Sequence, residues 1–383
     1  MKPRIFVRTF STFAALLLLL PQLLQAQIAA PSPPRLDAGA YLLMDFSSGG
    51  VLASNNADES LDPASITKLM TAYAVFRAIR SGQISIDDQV LISEKAWRTP
   101  GSRMFIEVNT RVPVSELLPG MIVQSGNDAS VALAEHVAGT EETFAEIMNQ
   151  LAAELGMTQT RYRNSTGLPS EGHLTSAADI AILASALISE FPDYYQWYSQ
   201  KEFTYNGITQ GNRNALLWRD DSVDGMKTGY TESAGYCLVS SAKRNDMRLI
   251  AVVLGTRSPS ARANESQALL NYGFRFFESH KLWEAGDVIS NARVWKGDSD
   301  STRLIVRDPV YVTVPRGSAG NIQTEVELPE NIVAPINTGD IIGTVRAKLG
   351  VDTLASAPVF SASDIEAGSI FSTLWDELLL WFE

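Results

Sequence analysis

Apolar positions in the middle of the chain recur with two different periods, which predict strands and helices. A β-hairpin is expected from Ala40, where β-favouring apolar runs flank the glycine-containing turn SSGG. Two further strand-like runs cover residues 235–243 and 247–255 and are joined by a short polar loop. Strands at both ends with helices between them indicate an α+β domain, over residues 36–281, whose sheet joins N- and C-terminal segments. Helical spacing of apolar residues predicts helices over 65–80, 127–138, 142–155, 175–190 and 260–278.

The pattern changes after residue 282, where short apolar runs are separated by Gly, Pro, Asn and Asp. This spacing predicts a small all-β domain over residues 285–360. The domain offers no plausible set of residues for nucleophilic catalysis, so we interpret it as a structural spacer or a binding module.

The C-terminal segment, residues 363–383, has apolar residues at three- and four-residue steps with acidic and hydroxyl residues between them. This pattern predicts an amphipathic helix, and its tryptophans Trp375 and Trp381 are typical of a helix that lies in a membrane interface. Two interpretations remain open: the helix binds a membrane surface, or it packs on the core of the protein itself. No Lys or Arg follows Lys348, so anionic lipid headgroups would repel the polar face.

The N-terminus has the three parts of a secretory signal peptide. Basic residues without any acid precede an apolar run, and small residues follow it from Ala26 to Ala30. The apolar stretch 13–24 is interrupted by a proline and is too short to span a membrane as a helix. We therefore expect residues 1–26 to be a signal peptide, with cleavage between residues 26 and 30, and the protein to be exported.

Composition and charge exclude several classes of protein. Of the 383 residues, 45% are hydrophobic and 19% are charged, which excludes disorder, collagen and coiled coil. The formal net charge of −12 becomes −15 when the three basic residues of the signal are removed, which argues against nucleic-acid binding. The single cysteine, Cys237, excludes an internal disulfide and a CxxC site, and three histidines without ligand spacing argue against a metal site.

A serine and a lysine share one face of the first predicted helix. Ser65 and Lys68 form an S-x-x-K motif directly after Asp62-Pro63, a sequence that places Ser65 at the helix N-terminus. Residues three apart lie on the same helix face, so the lysine amine can be a neighbour of the serine hydroxyl. A serine needs a base to become a good nucleophile, and a desolvated lysine crowded by cations can be that base. The motif alone is weak, because about one S-x-x-K arises by chance in a chain of this length.

Two further motifs make the pattern specific. Ser125 and Asn127 form an S-x-N motif in a loop between helical segments, where both side chains can point into a cleft. Lys227, Thr228 and Gly229 form a K-T-G motif just before the two strands, as expected of an edge strand whose glycine allows a substrate backbone to approach closely. Each tripeptide has a chance expectation below about one in five, so the ordered set of three motifs is strongly specific.

In this order, the three motifs resemble those of the penicillin-recognising serine enzymes. Within that group, the chain resembles the low-molecular-mass penicillin-binding proteins, which are D-alanyl-D-alanine carboxypeptidases of the penicillin-binding protein 5 and 6 type (peptidase family S11). The resemblance covers most of the mature chain, including the segment GNRNALLW, the β domain and the terminal helix. It implies a β-lactamase/transpeptidase-like catalytic domain with an antiparallel sheet and helices, followed by a small all-β domain and a C-terminal amphipathic helix that anchors the protein to a membrane.

The resemblance also implies a role for each motif residue. Ser65 would attack the carbonyl of the penultimate D-alanine to form an acyl-enzyme, with Lys68 as the base. Ser125 and Asn127 would relay a proton to the leaving D-alanine and hold the acyl-side amide. Backbone N–H groups of Ser65 and of a residue just after the K-T-G motif would form the oxyanion hole. The residues that would bind the end of the substrate and position its carboxylate are Lys227, Thr228, Gly229 and Arg213.

The implied activity is removal of the C-terminal D-alanine from peptidoglycan pentapeptide stems, without a cofactor or a metal. β-Lactam antibiotics would acylate the same serine. The expected location is the periplasmic face of the inner membrane, where the C-terminal helix would contact the membrane surface. A β-lactamase and a D,D-endopeptidase are the alternatives in the same chemical class, and a non-catalytic cell-wall-binding protein is the alternative from another class.

Two positions depart from patterns found in related enzymes. Tyr230 follows the K-T-G motif where relatives often have a histidine, which leaves the pH profile and the deacylation rate open. A class A β-lactamase would have a glutamate four residues before an asparagine in the loop after the S-x-N helix, but Thr160 precedes Asn164 at that spacing. We therefore expect slow release of β-lactam together with hydrolysis of peptide.

The remaining candidates for chemistry have simpler structural interpretations. A Ser-His-Asp hydrolase would have a G-x-S-x-G elbow, which the sequence lacks. We interpret His136, inside a helical pattern, as a structural residue, and Cys237, inside an apolar strand run, as a buried small hydrophobe.

Overall fold

The computed structural model of the protein describes residues 30–380. The predicted signal peptide, residues 1–26, lies outside the described residues, and so do the last three residues of the predicted C-terminal helix. Within the described part, a region of mixed helices and strands reaches residue 276, and a region of strands and one last helix follows it.

Strands of the first region form one large sheet and two small ones. The large sheet is antiparallel with the order β2-β1-β9-β8-β7, while β3 pairs with β4 and β5 pairs with β6. The sheet therefore joins N- and C-terminal segments, as the sequence predicts, and the strand with the K-T-G motif lies at its edge. The bounds of these strands are β1 (Ala40–Asp45), β2 (Val51–Asn55), β3 (Gln89–Leu91), β4 (Arg111–Pro113), β5 (Glu202–Tyr205), β6 (Ile208–Gly211), β7 (Val223–Thr231), β8 (Gly235–Arg244) and β9 (Met247–Thr256).

Helices cover both faces of the large sheet. A 3-10 turn, Ala64–Thr67, precedes the first helix. The hydroxyls of Thr140, Ser176 and Ser258 cap three of the helices by accepting the backbone N–H three residues on. The bounds of the helices are α1 (Lys68–Arg80), α2 (Glu94–Arg98), α3 (Val114–Val123), α4 (Asn127–Ala138), α5 (Glu141–Glu154), α6 (Ala177–Glu190), α7 (Pro192–Tyr195), α8 (Leu216–Arg219) and α9 (Pro259–Phe276).

The predicted hairpin, the two later strands and the five predicted helices are confirmed, with differences at some ends. The helix predicted to begin at residue 65 starts as a 3-10 turn, so Ser65 lies in that turn and Lys68 begins the α-helix. The helix predicted to reach residue 278 ends at Phe276, because Phe277 has an extended backbone and pairs with Pro315. Helix α3 was not predicted, and a proline lies inside it.

Strand β9 shows how the sheet divides the hydrophobic core into two layers. Val252 packs in the layer formed with α1, α3, α4 and α6, while its neighbour Val253 packs in the layer formed with α9. Successive side chains of a strand point to opposite faces, and both faces of β9 are covered. This burial on both sides explains why the sequence of β9 is a continuous apolar run rather than an alternating one.

The region after α9 confirms the predicted small all-β fold. Five of its strands form an antiparallel sheet with the order β11-β12-β16-β15-β14, and β10 pairs with β13. Strand β10 precedes residue 285, the start predicted for this domain. The bounds of these strands are β10 (Phe277–Trp283), β11 (Val288–Arg293), β12 (Ser301–Ile305), β13 (Val310–Pro315), β14 (Ile322–Glu327), β15 (Ile341–Leu349) and β16 (Asp352–Ser361).

A polar contact joins the β1–β2 turn to the β10–β13 pair. The buried Asp45 carboxylate accepts hydrogen bonds from the Ser48 backbone N–H at 2.8 Å and from the Ser279 hydroxyl at 3.2 Å. The Ser48 and Thr313 hydroxyls lie 2.6 Å apart. Ser279 and Thr313 are register partners in the β10–β13 pair, so one residue pair of these strands makes both contacts with the β1–β2 turn.

Helix α10 (Ile370–Leu380) ends the described part and contacts the β region through its acidic side chains. The Lys296 backbone N–H donates to Asp376 Oδ2 at 2.5 Å, and the Lys296 ammonium pairs with Glu377. Among residues 30–380, no helix combines the length and the apolar character needed to cross a bilayer. Among the side chains of this helix that the structure describes, the large apolar ones left exposed are Ile370, Leu374, Trp375 and Leu378.

A loop after α5 packs closely on the 3-10 turn that contains Ser65. Gly167 of this loop has a φ of +82°, and a Cβ atom at that position would lie 1.8 Å from the Ala64 carbonyl oxygen. Backbone cannot be displaced as easily as the end of a side chain, so the contact requires glycine.

We expect Gly167→Ala to lower the free energy of unfolding by about 3 kcal/mol or more, because the clash adds to the left-handed backbone strain. Gly82→Ala is the matched control: Gly82 has a φ of +75° and nothing within 4 Å of the added Cβ. Gly82→Ala should lower the free energy of unfolding only by the left-handed backbone strain, about 1–2 kcal/mol. Urea unfolding of both variants measures the difference, and equal losses would contradict the packing argument.

Candidate active site

The Lys68 amine is buried and surrounded by oxygen atoms from three separate segments. Its Nζ lies 3.1 Å from Ser65 Oγ, 2.7 Å from Asn127 Oδ1 and 2.6 Å from the Thr166 carbonyl oxygen. The 3-10 turn, the start of α4 and the loop after α5 each supply one of these partners. The proximity of Ser65 and Lys68 that the S-x-x-K spacing predicts is therefore present in the structure.

The pKa of Lys68 is lowered from its usual range to about 7. Burial is the largest cause, and the positive charge of Arg213 lowers the pKa further, while Asp128 and Glu141 act in the opposite direction. A large fraction of the amine is then neutral near neutral pH. In this form its lone pair can accept the Ser65 hydroxyl proton across the 3.1 Å contact.

The S-x-N motif occupies the junction between α3 and α4. Ser125 has a φ of +63°, and its Oγ is buried without a hydrogen-bond partner within residues 30–380. Asn127 begins α4, and its Nδ2 donates to the Pro100 carbonyl at 2.6 Å while its Oδ1 accepts from Lys68. An unpaired hydroxyl beside a cleft is free to bond with a bound ligand, and the amide orientation of Asn127 is fixed at both ends.

The Asp128 carboxylate, next to the S-x-N motif, holds a loop that borders the cleft. It accepts hydrogen bonds from the backbone N–H groups of Met104, Phe105 and Ile106 at 3.0, 2.9 and 3.3 Å. Phe105 has a φ of +69°, a conformation that is rare for an aromatic residue and that these bonds help to hold. Asp128 could not be predicted from the sequence, because nothing in the local pattern shows that a distant loop needs an acceptor.

The K-T-G motif lies on the edge strand β7 and packs against the 3-10 turn. A Cβ atom at Gly229 would lie 3.1 Å from Ala64 Cβ and 3.2 Å from Ile66 Cγ1. From the sequence, this glycine is expected to allow the approach of a substrate backbone. The structure gives a second reason, which is that the strand itself must come close to the turn that contains Ser65.

Positive side chains cluster at the same end of β7. Lys227 is buried, and its pKa is lowered by burial and by the charges of Lys68, Arg213 and Arg262. Arg213 donates to Ser102 Oγ at 2.7 Å, and burial also lowers its pKa. These cations repel one another and attract an anionic group of a ligand.

Arg262 is a further cation of this cluster that the sequence analysis missed. Its Nη1 donates to the Gly229 carbonyl at 3.1 Å, and its guanidinium lies 5.7 Å from the centroid of the Tyr236 ring. It lies in α9, far from the motifs along the chain, and only the packing of α9 on the sheet brings it to β7. No sequence signal distinguishes it from a surface arginine.

These residues border one cleft with a volume of about 530 Å³. Lys68 and Lys227 are buried, and each contacts a residue of the cleft wall. Tyr230, half exposed at the rim, stacks on Tyr236 with the ring centroids 4.2 Å apart. Six of the eight site residues that the sequence predicts line the cleft, namely Ser65, Ser125, Asn127, Arg213, Thr228 and Gly229.

Two other residues that the sequence singled out lie in structural positions. Cys237 is fully buried, and burial raises its pKa to about 11, which keeps the thiol protonated at neutral pH. His136 lies in α4 with Nε2 3.1 Å from Asp88. Within the described residues, no group of three or more His, Cys, Asp or Glu side chains is arranged to hold a metal ion.

We expect the pKa of Lys68 to rise when the charge at Arg213 is removed. In Arg213→Gln, loss of the like charge makes the protonated amine less unfavourable, so the titration midpoint should move upward from about 7. NMR titration of the Lys68 side chain measures the midpoint. Arg219→Gln, which removes a charge outside the cleft wall, should leave the midpoint in place; an unchanged or lower midpoint in Arg213→Gln would contradict the assignment.

Comparison with known proteins identifies the family. Residues 27–258 match the family model of D-alanyl-D-alanine carboxypeptidase, Peptidase S11, and residues 277–367 match that of the penicillin-binding protein 5 C-terminal domain. The chain is 43% identical over 357 residues to D-alanyl-D-alanine carboxypeptidase DacC of Escherichia coli (strain K12), covering 91% of this chain and 89% of DacC. It is 42% identical over 355 residues to DacA of Haemophilus influenzae, covering 91% of this chain and 90% of DacA.

A solved structure gives the same answer for the fold. The crystal structure of penicillin binding protein 5 from Haemophilus influenzae superposes with a TM-score of 0.85 at 42% identity, covering 88% of this chain and 100% of that chain. The match extends over both the mixed region and the β region. With its three motifs gathered in one cleft, the chain belongs to the S11 family of D-alanyl-D-alanine carboxypeptidases.

Proposed function

We propose that Ser65 is the nucleophile of a serine D-alanyl-D-alanine carboxypeptidase and that Lys68 is its base. The observation that carries this proposal is the 3.1 Å contact between Lys68 Nζ and Ser65 Oγ, made by an amine whose pKa lies near 7. A neutral amine at this distance takes the hydroxyl proton as Oγ attacks the carbonyl carbon of the penultimate D-alanine. The product of the attack is a tetrahedral intermediate with its negative charge on the former carbonyl oxygen.

The leaving group is the C-terminal D-alanine. When the tetrahedral intermediate collapses, the C–N bond breaks and the amine of D-alanine takes up a proton. The buried and unpaired Ser125 hydroxyl supports a relay in which Ser125 gives its proton to the amine and is reprotonated from Lys68. Water then attacks the acyl-enzyme ester, restores the Ser65 hydroxyl and releases the shortened stem.

The positive end of the cleft supports recognition of a free carboxylate. Lys227, Thr228 and Arg213 are the groups that would bind the carboxylate of the terminal D-alanine, and Gly229 lets strand β7, with Lys227 and Thr228, lie against the turn with Ser65. Backbone N–H groups of Ser65 and Tyr230 would stabilise the oxyanion. A substrate that lacks a terminal carboxylate would leave the buried Lys227 and its neighbour Arg213 without an anionic partner, which favours trimming of chain ends over internal cleavage.

The loop after α5 supports slow hydrolysis of a β-lactam acyl-enzyme. Thr160 donates its hydroxyl proton to Asp179 at 2.6 Å, and Asn164 Oδ1 accepts the Gly167 backbone N–H at 2.7 Å. Both side chains are therefore engaged in holding the loop. Neither is a carboxylate that could activate water, so we expect penicillin to remain on Ser65 far longer than the peptide does.

Replacement of the nucleophile tests the proposal directly. Ser65→Ala should release D-alanine from diacetyl-Lys-D-Ala-D-Ala at least about 1,000-fold more slowly than the unmodified protein and should gain no mass with penicillin. Mass spectrometry after incubation with each compound measures both. Ser199→Ala, at an exposed serine outside the cleft wall, is the matched control and should behave like the unmodified protein.

Three outcomes would overturn parts of this proposal. Unchanged D-alanine release by Ser65→Ala would exclude Ser65 as nucleophile. Turnover of a chromogenic cephalosporin at tens per second would favour a β-lactamase. Faster cleavage of a cross-linked muropeptide than of the pentapeptide end would favour an endopeptidase; the D-alanyl-D-alanine endopeptidase of Escherichia coli (strain K12) is 30% identical over 60% of this chain.

We also propose that the protein is exported and that α10 attaches it to the periplasmic face of the inner membrane. The support is the row of exposed apolar side chains, with Leu374 63% and Trp375 65% exposed. The acidic residues Asp376 and Glu377 contact Lys296 of the β region, which compensates part of their negative charge. This pairing weakens the repulsion between the acidic residues and anionic lipid.

Deletion of residues 363–383 should release the protein from membrane vesicles of zwitterionic and anionic lipid, since the exposed apolar row leaves with the segment. Vesicle sedimentation measures the bound fraction. Val351→Glu is the matched control, because Val351 is 95% exposed in the β region and its replacement should not release the protein. A truncated protein that still sediments with vesicles would exclude the helix as the anchor.

A further inference from the structure

We propose that His173 is a positioning residue, which fixes the turn between Ser65 and Lys68 through a hydrogen bond to Thr67. The proposal rests on the roles of Ser65 and Lys68 given above. His173 is not a member of any of the three motifs, and it lies at the far end of the loop after α5.

Two hydrogen bonds determine the tautomer of His173, which is only 2% exposed. The Arg163 backbone N–H donates to Nδ1 at 3.1 Å, and Nε2 lies 2.8 Å from Thr67 Oγ1. A backbone N–H can only donate, so Nδ1 must carry a lone pair. The hydrogen of the neutral imidazole is then on Nε2, and it is donated to the Thr67 hydroxyl.

The position of Thr67 makes this bond important for the catalytic residues. Thr67 is the last residue of the 3-10 turn, and Lys68 is the first residue of α1. A bond to the Thr67 side chain therefore acts on the backbone at the step from turn to helix. His173 Nε2 is occupied by Thr67, which excludes a role as the base for Ser65.

The same loop holds Lys68 from a second direction. The Thr166 carbonyl accepts from Lys68 Nζ at 2.6 Å, and the Ser165 carbonyl accepts from the Thr71 hydroxyl at 2.7 Å. Loop and helix are thus joined at residues 67, 68 and 71, and His173 makes the first of these contacts. Its ring also lies edge-on to Tyr162, with centroids 5.8 Å apart.

The imidazole stays neutral over the range in which Lys68 titrates. Burial lowers the pKa of His173 to about 4; Asp62 acts to raise the pKa, while Arg163 and Lys68 act to lower it. Protonation would place a hydrogen on Nδ1 facing the Arg163 N–H, so the imidazolium cannot keep this contact. Acid should therefore loosen the turn below pH 4, in addition to protonating Lys68 below pH 7.

Two substitutions separate the hydrogen bonds from the volume of the ring. His173→Gln provides an amide oxygen and an amide nitrogen at about the spacing of the two ring nitrogens, and it does not titrate. His173→Phe keeps the ring volume and the contact with Tyr162 but removes both bonds. The measurement is the second-order rate constant for acylation of Ser65 by benzylpenicillin from pH 3.5 to pH 9, with circular dichroism to verify that each variant is folded.

We expect His173→Phe to acylate about 10- to 100-fold more slowly at pH 8, and His173→Gln to stay within about threefold of the unmodified protein. The extra loss of rate below pH 4 should be present in the unmodified protein and absent in His173→Gln. The acylation rate constant of Thr67→Val should fall about as much as that of His173→Phe. In the double variant Thr67→Val/His173→Phe it should fall little further than in either single variant.

Several results would overturn the proposal. These are a His173→Phe rate within threefold of the unmodified protein, a His173→Gln rate as low as that of His173→Phe, and additive losses in the double variant. If His173→Phe does not fold, ¹⁵N NMR of the unmodified protein decides instead: a hydrogen on Nδ1 at pH 7 would exclude both the contact with the Arg163 N–H and the donation from Nε2 to Thr67. This spectrum does not depend on the chemistry of Ser65, whereas failure of the proposed function would show as no penicillin adduct on that serine.

Discussion

The burial of one lysine amine is the constraint on which the rest of the cleft depends. A charged ammonium out of contact with water is costly unless hydrogen-bond acceptors surround it, and Lys68 obtains these from Ser65, Asn127 and Thr166. The three acceptors come from a turn, a helix start and a loop, so none of these segments can move without leaving the amine unsatisfied. The need of one amine for hydrogen-bond acceptors thus connects Lys68 to segments about 60 and about 100 residues further along the chain.

The acceptors alone would favour the protonated amine, and a protonated amine is no base. Burial shifts the balance the other way most strongly, and the positive charge of Arg213 adds to its effect, so the pKa of Lys68 is lowered. The same group of cations, with Lys227 and Arg262, gives a positive field at the end of β7. One arrangement therefore serves two purposes, since it keeps the base neutral and attracts an anionic chain end. The overall charge of −12 gives no indication of this local field.

Most of the regular structure and the chemistry-bearing side chains could be predicted from the sequence. The periods of apolar residues were sufficient for the hairpin, the central strands and the longer helices, because long elements bury one face or both. Helix α3 was missed because Pro119 interrupts its pattern, and short helices such as α8 have too few residues to show a period. The three motifs identified the site because each contains side chains with distinctive chemistry at fixed spacing.

What could not be predicted is the set of partners that hold those side chains. The acceptor that Thr166 offers to Lys68 is a backbone carbonyl, which every residue has. Arg262 and Asp128 form hydrogen bonds with segments that are distant in sequence. The residues next to them in the chain do not indicate these bonds. The sequence also explains the glycine at position 229 only in part, because the close approach of β7 to the 3-10 turn is a property of the packed fold.

The edge position of β7 has a consequence for pairing with other chains. An edge strand exposes unpaired backbone N–H and C=O groups, which invite pairing with any extended chain, including a second copy of the protein. In this fold the 3-10 turn packs over Gly229, and α9 places Arg262 on the carbonyl of that glycine. The neighbouring residues Thr228, Tyr230 and Thr231 of the strand line the wall of the cleft. Contacts that cover an edge in this way make that part of it a poorer template for pairing with another strand.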